Sequence, residues 1–207
     1  MAYVLGFIFA DGSIFKNPRG SHYLDLTSTD LELIGKLKRL LGAEHKIGVY
    51  NSKNKKWKRR YKLQIGSRDL FSDLNKYGVV PRKSLIMSFP NIPRKYLSHF
   101  VRGYFDGDGS VNFGKYWRKA RSNWTWQFSS SFISGSEKFL KTLCKILNQY
   151  NMRGAIQRKN RGYELVFSRL SSLALFKLMY HNVSTKMFLE RKHNIFLKAF
   201  EKLNMRA

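Results

Sequence analysis

Residues 101–111, "VRGYFDGDGSV", finish an apolar, helix-like run with two aspartates and three glycines crowded into seven positions. Residues 4–14, "VLGFIFADGSI", repeat the pattern: Val4, Gly6, Asp11, Gly12 and Ser13 stand in register with Val101, Gly103, Asp108, Gly109 and Ser110. A single Asp-Gly step is a common turn signal. Two copies with the same apolar lead and the same Ser after them predict an internal duplication instead.

Setting Asp11 over Asp108 divides the chain into residues 1–92 and 93–207, with the proline-containing "SFPNIPRKYL" as the linker. After the first motif, residues 13–27 alternate around a Pro-Arg-Gly turn as a hairpin does, and "SVNFGKYWRKARSNWTWQFSSSFI" is its longer counterpart. Next come "DLELIGKLKRLLG" and "SEKFLKTLCKILNQY", which read as amphipathic helices capped by Asp30 and Ser136. Their expected buried faces are Leu31, Ile34, Leu37, Leu40 and Leu41, and Phe139, Leu140, Leu143, Ile146 and Leu147. A second two-stranded unit and a further short helix follow in each half. The order predicts an α+β fold of two similar units, each with four strands and a helical layer.

Charge sets the partner class. Thirty-nine Lys and Arg against thirteen Asp and Glu leave +26, far more than solubility needs, and this points to a polyanion. The sequence holds no run of about 18 apolar residues and opens without a basic n-region, so neither a membrane span nor a secretory signal is expected. The single Cys144, among Leu143, Ile146 and Leu147, reads as a buried thiol in a reducing compartment.

Gly6 and Ala10 in the first motif, and Gly103 and Gly107 in the second, are small residues four apart, which makes a flat stripe on one helix face. Packing these stripes together would bring two helix backbones close and set Asp11 and Asp108 side by side. Two neighbouring acids repel unless they share a proton or bind cations, and a hard divalent ion such as Mg²⁺ accepts such a pair together with water and phosphate oxygens. A calcium loop starting in "DGDGSVNFGKYW" is excluded, because its sixth position is Val111 rather than Gly and its twelfth is Trp117 rather than Glu. A protease-type aspartate dyad suits so basic a chain poorly.

"LGFIFADGSI" and "RGYFDGDGSV" resemble the two signature motifs of a LAGLIDADG homing endonuclease of the monomeric, two-motif kind, and the resemblance covers essentially the whole chain. It implies two pseudo-twofold-related αββαββα units whose antiparallel sheets form a saddle-shaped surface for DNA. It also implies site-specific, metal-dependent hydrolysis, with a staggered double-strand break at a long asymmetric target. The family's essential acids map onto Asp11 and Asp108, with Ala10 and Gly107 beside them as further metal contacts. Mg²⁺ is the implied cofactor; Mn²⁺ could replace it, and Ca²⁺ is expected to support binding without cleavage. The family's earlier aspartate maps onto Asp106 but onto Phe9 in the first copy, so these two are read as interface polarity and packing. Lys83 in "YGVVPRKS" and Lys186 in "YHNVSTKM" share their spacing and resemble the basic residues flanking the family's centre.

Basic residues recur at the hairpins of both halves: Lys16 and Arg19; Lys53, Lys55, Lys56, Arg59, Arg60 and Lys62; Lys115, Arg118 and Arg121; Arg158, Lys159 and Arg161. A two-stranded ribbon fits the major groove, and alternation would send Tyr50, Lys62, Gln64, Gln127 and Gln157, or their neighbours, toward double-stranded DNA. The sequence leaves open which set faces outward.

The function expected is therefore an intron-mobilising endonuclease acting as a monomer inside the cell, in a bacterial or archaeal cytoplasm or an organelle. An RNA maturase working on its host intron RNA, or a DNA-binding protein that does not cleave, would use the same fold. An intein module is disfavoured, since no splice-junction residues are seen.

Overall fold

The computed structural model describes residues 1–51, 58–181, 183 and 187–206. The chain forms two compact units, Met1–Gly107 and Asp108–Ala207. Helix α4 (Leu97–Asp108) packs on α1 (Ala2–Asp11), so all but its last residue clusters with the first unit.

In the first unit, α1 leads without a loop into β1 (Gly12–Lys16), which is followed by β2 (His22–Ser28), α2 (Leu31–Leu40), β3 (Ile47–Tyr50), β4 (Arg60–Gly66) and α3 (Arg68–Lys76). The strands form an antiparallel sheet in the order β1-β2-β4-β3. Ile14, Leu24, Leu26, Leu63 and Ile65 are its buried positions, and α2 and α3 cover them. Asp30 caps α2 by accepting from the Leu33 amide at 3.0 Å. The buried stripe of α2 is Leu33, Ile34 and Leu37; of the positions expected inside, Leu31 falls off this face, and Leu40, in register with Leu33 and Leu37, is exposed as the last residue of the helix.

Helix α1 is apolar on almost every side and correspondingly buried, with Val4, Phe7, Ile8 and Phe9 nearly inaccessible. Its glycine face meets that of α4. A Cβ on Gly6 would run into the Phe100 carbonyl oxygen and lie 2.9 Å from the Tyr104 nitrogen, and one on Gly103 would run into the Tyr3 carbonyl oxygen and lie 3.0 Å from the Phe7 nitrogen. The opposing atoms are backbone, so neither side can yield. Phe9 packs edge-on against Phe100 at 5.5 Å beside this contact.

The second unit repeats the order. From the end of α4 the chain enters β5 (Gly109–Arg118), then β6 (Asn123–Ser134), α5 (Glu137–Asn148), β7 (Gly154–Lys159), β8 (Gly162–Phe167) and α6 (Arg169–Tyr180). It adds α7 (Glu190–Lys202), which the repeat reading did not anticipate. The sheet order β5-β6-β8-β7 matches that of the first unit. Ser136 caps α5, and the buried hydroxyls of Ser130 and Ser172 bond each other at 2.8 Å, with Ser172 donating to the Phe167 carbonyl. Cys144 is half-buried, not enclosed, because it lies at the edge of the Phe139, Leu140, Leu143 and Leu147 stripe.

Two measurements check these packing assignments. Gly103→Val should lower the unfolding free energy of the full chain by about 3 kcal/mol in urea titrations. Gly35→Ala, in mid-α2 with open space around it, should raise it by about 0.5–1 kcal/mol. In the second unit, burial among Phe176, Tyr180 and Phe188 holds the His193 imidazole below its ordinary value, outweighing the opposite pull of Asn194 and Glu190. The neutral ring is thus favoured in the fold: its stabilisation is full above about pH 6.5 and is lost as pH falls through the depressed folded value. Melting temperatures recorded from about pH 7.5 to pH 5 should fall, and His193→Phe should flatten that slope.

Candidate catalytic centre and nucleic-acid interface

Both helices of the glycine contact end on an acid: α1 on Asp11, α4 on Asp108. The last carbonyls of a helix carry partial negative charge, so its C-terminus is the wrong end for a carboxylate, and neither helix has a basic residue in its last turn. Such an end calls for a cation. Asp11 is exposed and Asp108 half-buried. Within the first unit Gly107 lies against Ala10 and Asp11: a Cβ there would collide with the Ala10 Cβ and sit 3.2 Å from Asp11 Oδ2. The Asp11 carboxylate therefore lies beside the residue that directly precedes Asp108.

Among the described residues no three His, Cys, Asp or Glu come together. A cation at these helix ends would take single carboxylates, helix-end carbonyls and oxygens from outside the chain. That donor set is all oxygen and suits a hard divalent ion. Asp106 is engaged elsewhere. It is buried, accepts from the Tyr3 hydroxyl at 2.7 Å, and Arg102 lies over the Tyr3 ring at 5.5 Å.

Two buried lysines complete the pattern. Lys83 Nζ donates to the Gly12 carbonyl and Lys192 Nζ to the Gly109 carbonyl, each at 2.6 Å, and they are only 5% and 4% exposed. Lysine is almost never fully buried without a partner, and here both partners are the carbonyl just after an acid. Lys186, expected as the counterpart of Lys83, lies outside the described residues; the described residue in the equivalent relation is Lys192. The sequence did carry a signal for it, because Lys192 stands in helical register with the buried Leu189, Phe196, Ala199 and Phe200.

Strand register sorts the expected surface residues. In the first unit Tyr50 pairs with Arg60, Gly48 with Lys62, and Gln64 with Asp25, so Tyr50, Arg60, Lys62 and Gln64 share the face turned away from the helices. Asp25 ties two of them, with Lys62 Nζ at 2.6 Å and Gln64 Nε2 donating at 2.8 Å. Arg59 Nε donates to Asn51 at 2.9 Å.

In the second unit Gln127, Gln157 and Arg118 line an open groove of about 650 Å³ together with Arg153 and Arg169, two basic residues that the hairpin pattern had missed. Lys159, on the same face as Gln157, pairs with Glu164 at 3.0 Å. Lys16, Lys115 and Arg158 do not belong to this outward set. By alternation they follow the parity of the core positions Ile14, Val111 and Ile156 and emerge only because they lie at exposed strand ends. Arg19, Arg121 and Arg161 are exposed in turns, while Lys53, Lys55 and Lys56 lie outside the described residues.

Residues 1–77 match the model of a LAGLIDADG-like domain, and residues 97–194 match that of the WhiA LAGLIDADG-like domain. The chain is a two-motif LAGLIDADG protein. Its fold is that of solved LAGLIDADG endonucleases: an I-SmaMI with two lysines changed to alanine (TM-score 0.65, 15% identity, 98% of this chain and 91% of that one) is one match. Others are I-AabMI bound to uncleaved DNA (0.66, 15%, 98% and 90%) and variants of the homing endonuclease I-DmoI (0.59, 17%, 90% and 96%). In sequence, 84% of the chain is 29% identical to part of a probable translation initiation factor IF-2 of Thermococcus kodakarensis, and it spans 14% of that protein's length.

Proposed function

We propose that the chain is a divalent-metal-dependent, site-specific DNA endonuclease that cuts both strands of a long asymmetric target as a single chain, promoting mobility of its host intron. The observation that carries this reading is the twice-built arrangement of a helix-terminal acid, a glycine, and a buried lysine on that glycine's carbonyl. The DNA-bound relatives I-AabMI and I-SmaMI support the choice of partner.

Asp11 and Asp108, with the carbonyls of Ala10 and Gly107, would hold Mg²⁺, which supplies Lewis acidity toward a phosphate oxygen and its bound water. Each acid serves one strand. A water oxygen bonds to phosphorus, the P–O bond to the leaving sugar oxygen breaks, the water gives up a proton and the leaving oxygen takes one. Lys83 and Lys192 fix a positive charge one residue from each acid. That charge stabilises the negative charge that grows on the phosphate. In each unit the outward face of the sheet is the DNA contact, with Gln64, Gln127 and Gln157 reaching base edges and Arg60, Arg118, Arg153 and Arg169 reaching phosphates.

A second reading, a DNA-binding protein that does not cleave, is favoured by the match of residues 97–194 to the WhiA domain. A randomised duplex library incubated with the protein separates the two. In Mg²⁺ the endonuclease releases fragments with two new ends, and in Ca²⁺ it binds the same sequences uncut. Binding without cleavage under both ions selects the second reading.

Asp11→Asn and Asp108→Asn should each lower double-strand cleavage at least about 100-fold while leaving binding in Ca²⁺ intact. Lys83→Met and Lys192→Met should each slow single-turnover cleavage about 10- to 100-fold, and by similar factors. Asp25→Ala frees Lys62 for phosphate and should steepen the log–log salt dependence of duplex affinity by about 0.9.

A further inference from the structure

The outer half of the β5–β6 hairpin carries exposed aromatic residues. Trp117 and Trp124 face each other across the ladder with ring centroids 5.7 Å apart, and they are 49% and 58% exposed. Inward of this pair, Trp126 stacks on Phe113 at 4.9 Å. Register places Phe113, Trp117, Trp124 and Trp126 on the side that continues inward through Phe128 to Phe196 and Phe200. In register that is the side opposite Gln127 and Gln157, with Trp126 also bordering the groove that those glutamines line.

The C-terminal end of α7 borders this strip. Lys202 Nζ lies 5.5 Å from the Trp126 ring centre, and Lys198, Glu201, Lys202 and Asn204 form with Phe113 and Trp126 a groove of about 600 Å³. Lys115 shares the face, opposite Trp126, and Lys119 and Arg121 stand exposed at the hairpin tip. Glu201 is the one acid lining the groove.

Trp117 and Trp124, exposed side by side, mark a binding surface. The ring of lysines and arginine selects a polyanion. Flat indole faces add something that a duplex cannot use, because its bases are already stacked on each other, whereas the bases of a single strand offer free faces. We propose that the strip from Trp117 and Trp124 to Trp126 and Lys202 is a stacking platform for single-stranded nucleic acid, on the opposite side of the hairpin from the duplex-reading face.

The test uses the full chain, without metal, and labelled oligo(dT) and oligo(U) of about 12 nucleotides, followed by anisotropy and by quenching of intrinsic tryptophan fluorescence. Both oligonucleotides should bind and quench. The double variant Trp117→Ala/Trp124→Ala should bind them at least about tenfold more weakly with an unchanged salt slope, since the cations are intact. Trp117→Phe/Trp124→Phe, which keeps a ring at each position, should retain most of the affinity.

Equal affinity for wild type and the double alanine variant overturns the platform. So does a duplex of the same length that reverses the quenching, which would make the strip part of one shared surface. A change confined to the sedimentation coefficient of the alanine variant assigns the tryptophans to self-association and likewise overturns it. None of these readouts needs a target site or cleavage, so their failure is separate from that of the endonuclease reading.

Discussion

The backbone contact between α1 and α4 is the constraint on which the rest of the first unit depends. Gly6 and Gly103 let each helix rest on the main chain of the other, with Phe100, Tyr104, Tyr3 and Phe7 supplying the opposing atoms. Helices usually pack 8–10 Å apart with side chains between them; here the missing Cβ atoms remove that layer. Since both helices run directly into strands, at Gly12 and at Gly109, no loop intervenes between the contact and the acids at the helix ends. A loop would let Asp11 and Asp108 move independently of the core. A helix end held in a packed interface does not.

Electrostatics around those ends work at two distances. The acids face helix-terminal carbonyls, which repel them and attract a cation. One residue further on, buried lysines donate to the next carbonyl, so a positive charge is built into the core. A chain of net charge +26 has no shortage of lysine, but only burial fixes a lysine in one position. Lys83 and Lys192 are therefore unlike the exposed hairpin lysines Lys16 and Lys115.

The sheets divide the surface chemistry by the two-residue period of the strand. On the first, Asp25 sits in a row of basic and amide side chains and restrains Lys62 and Gln64; the Gln64 amide spends one N–H on Asp25 and keeps its second N–H and its carbonyl oxygen for a partner. On the second, Gln127, Gln157 and three arginines line a groove that Trp126 also borders, while Trp117 and Trp124 project from the other face of the long hairpin.

Much of this was legible in the residues. The duplicated motif, its glycine stripe, the capping Asp30 and Ser136, and the strand and helix order all rest on short-range patterns, because periodicity and turn chemistry act over a few residues. The roles of Phe9 in packing and of Asp106 in the interface followed from one mismatch between the repeats. What the sequence could not decide was set by contacts between residues far apart in the chain. Strand parity became known only once register was fixed, which removed Lys16, Lys115 and Arg158 from the outward set and brought in Arg153 and Arg169. Lys192 lies 83 residues from the carbonyl it holds, beyond any local pattern, although its place on the buried face of α7 marked it. The α1–α4 contact belongs to the same class, since a missing Cβ counts only when another backbone arrives to fill the space.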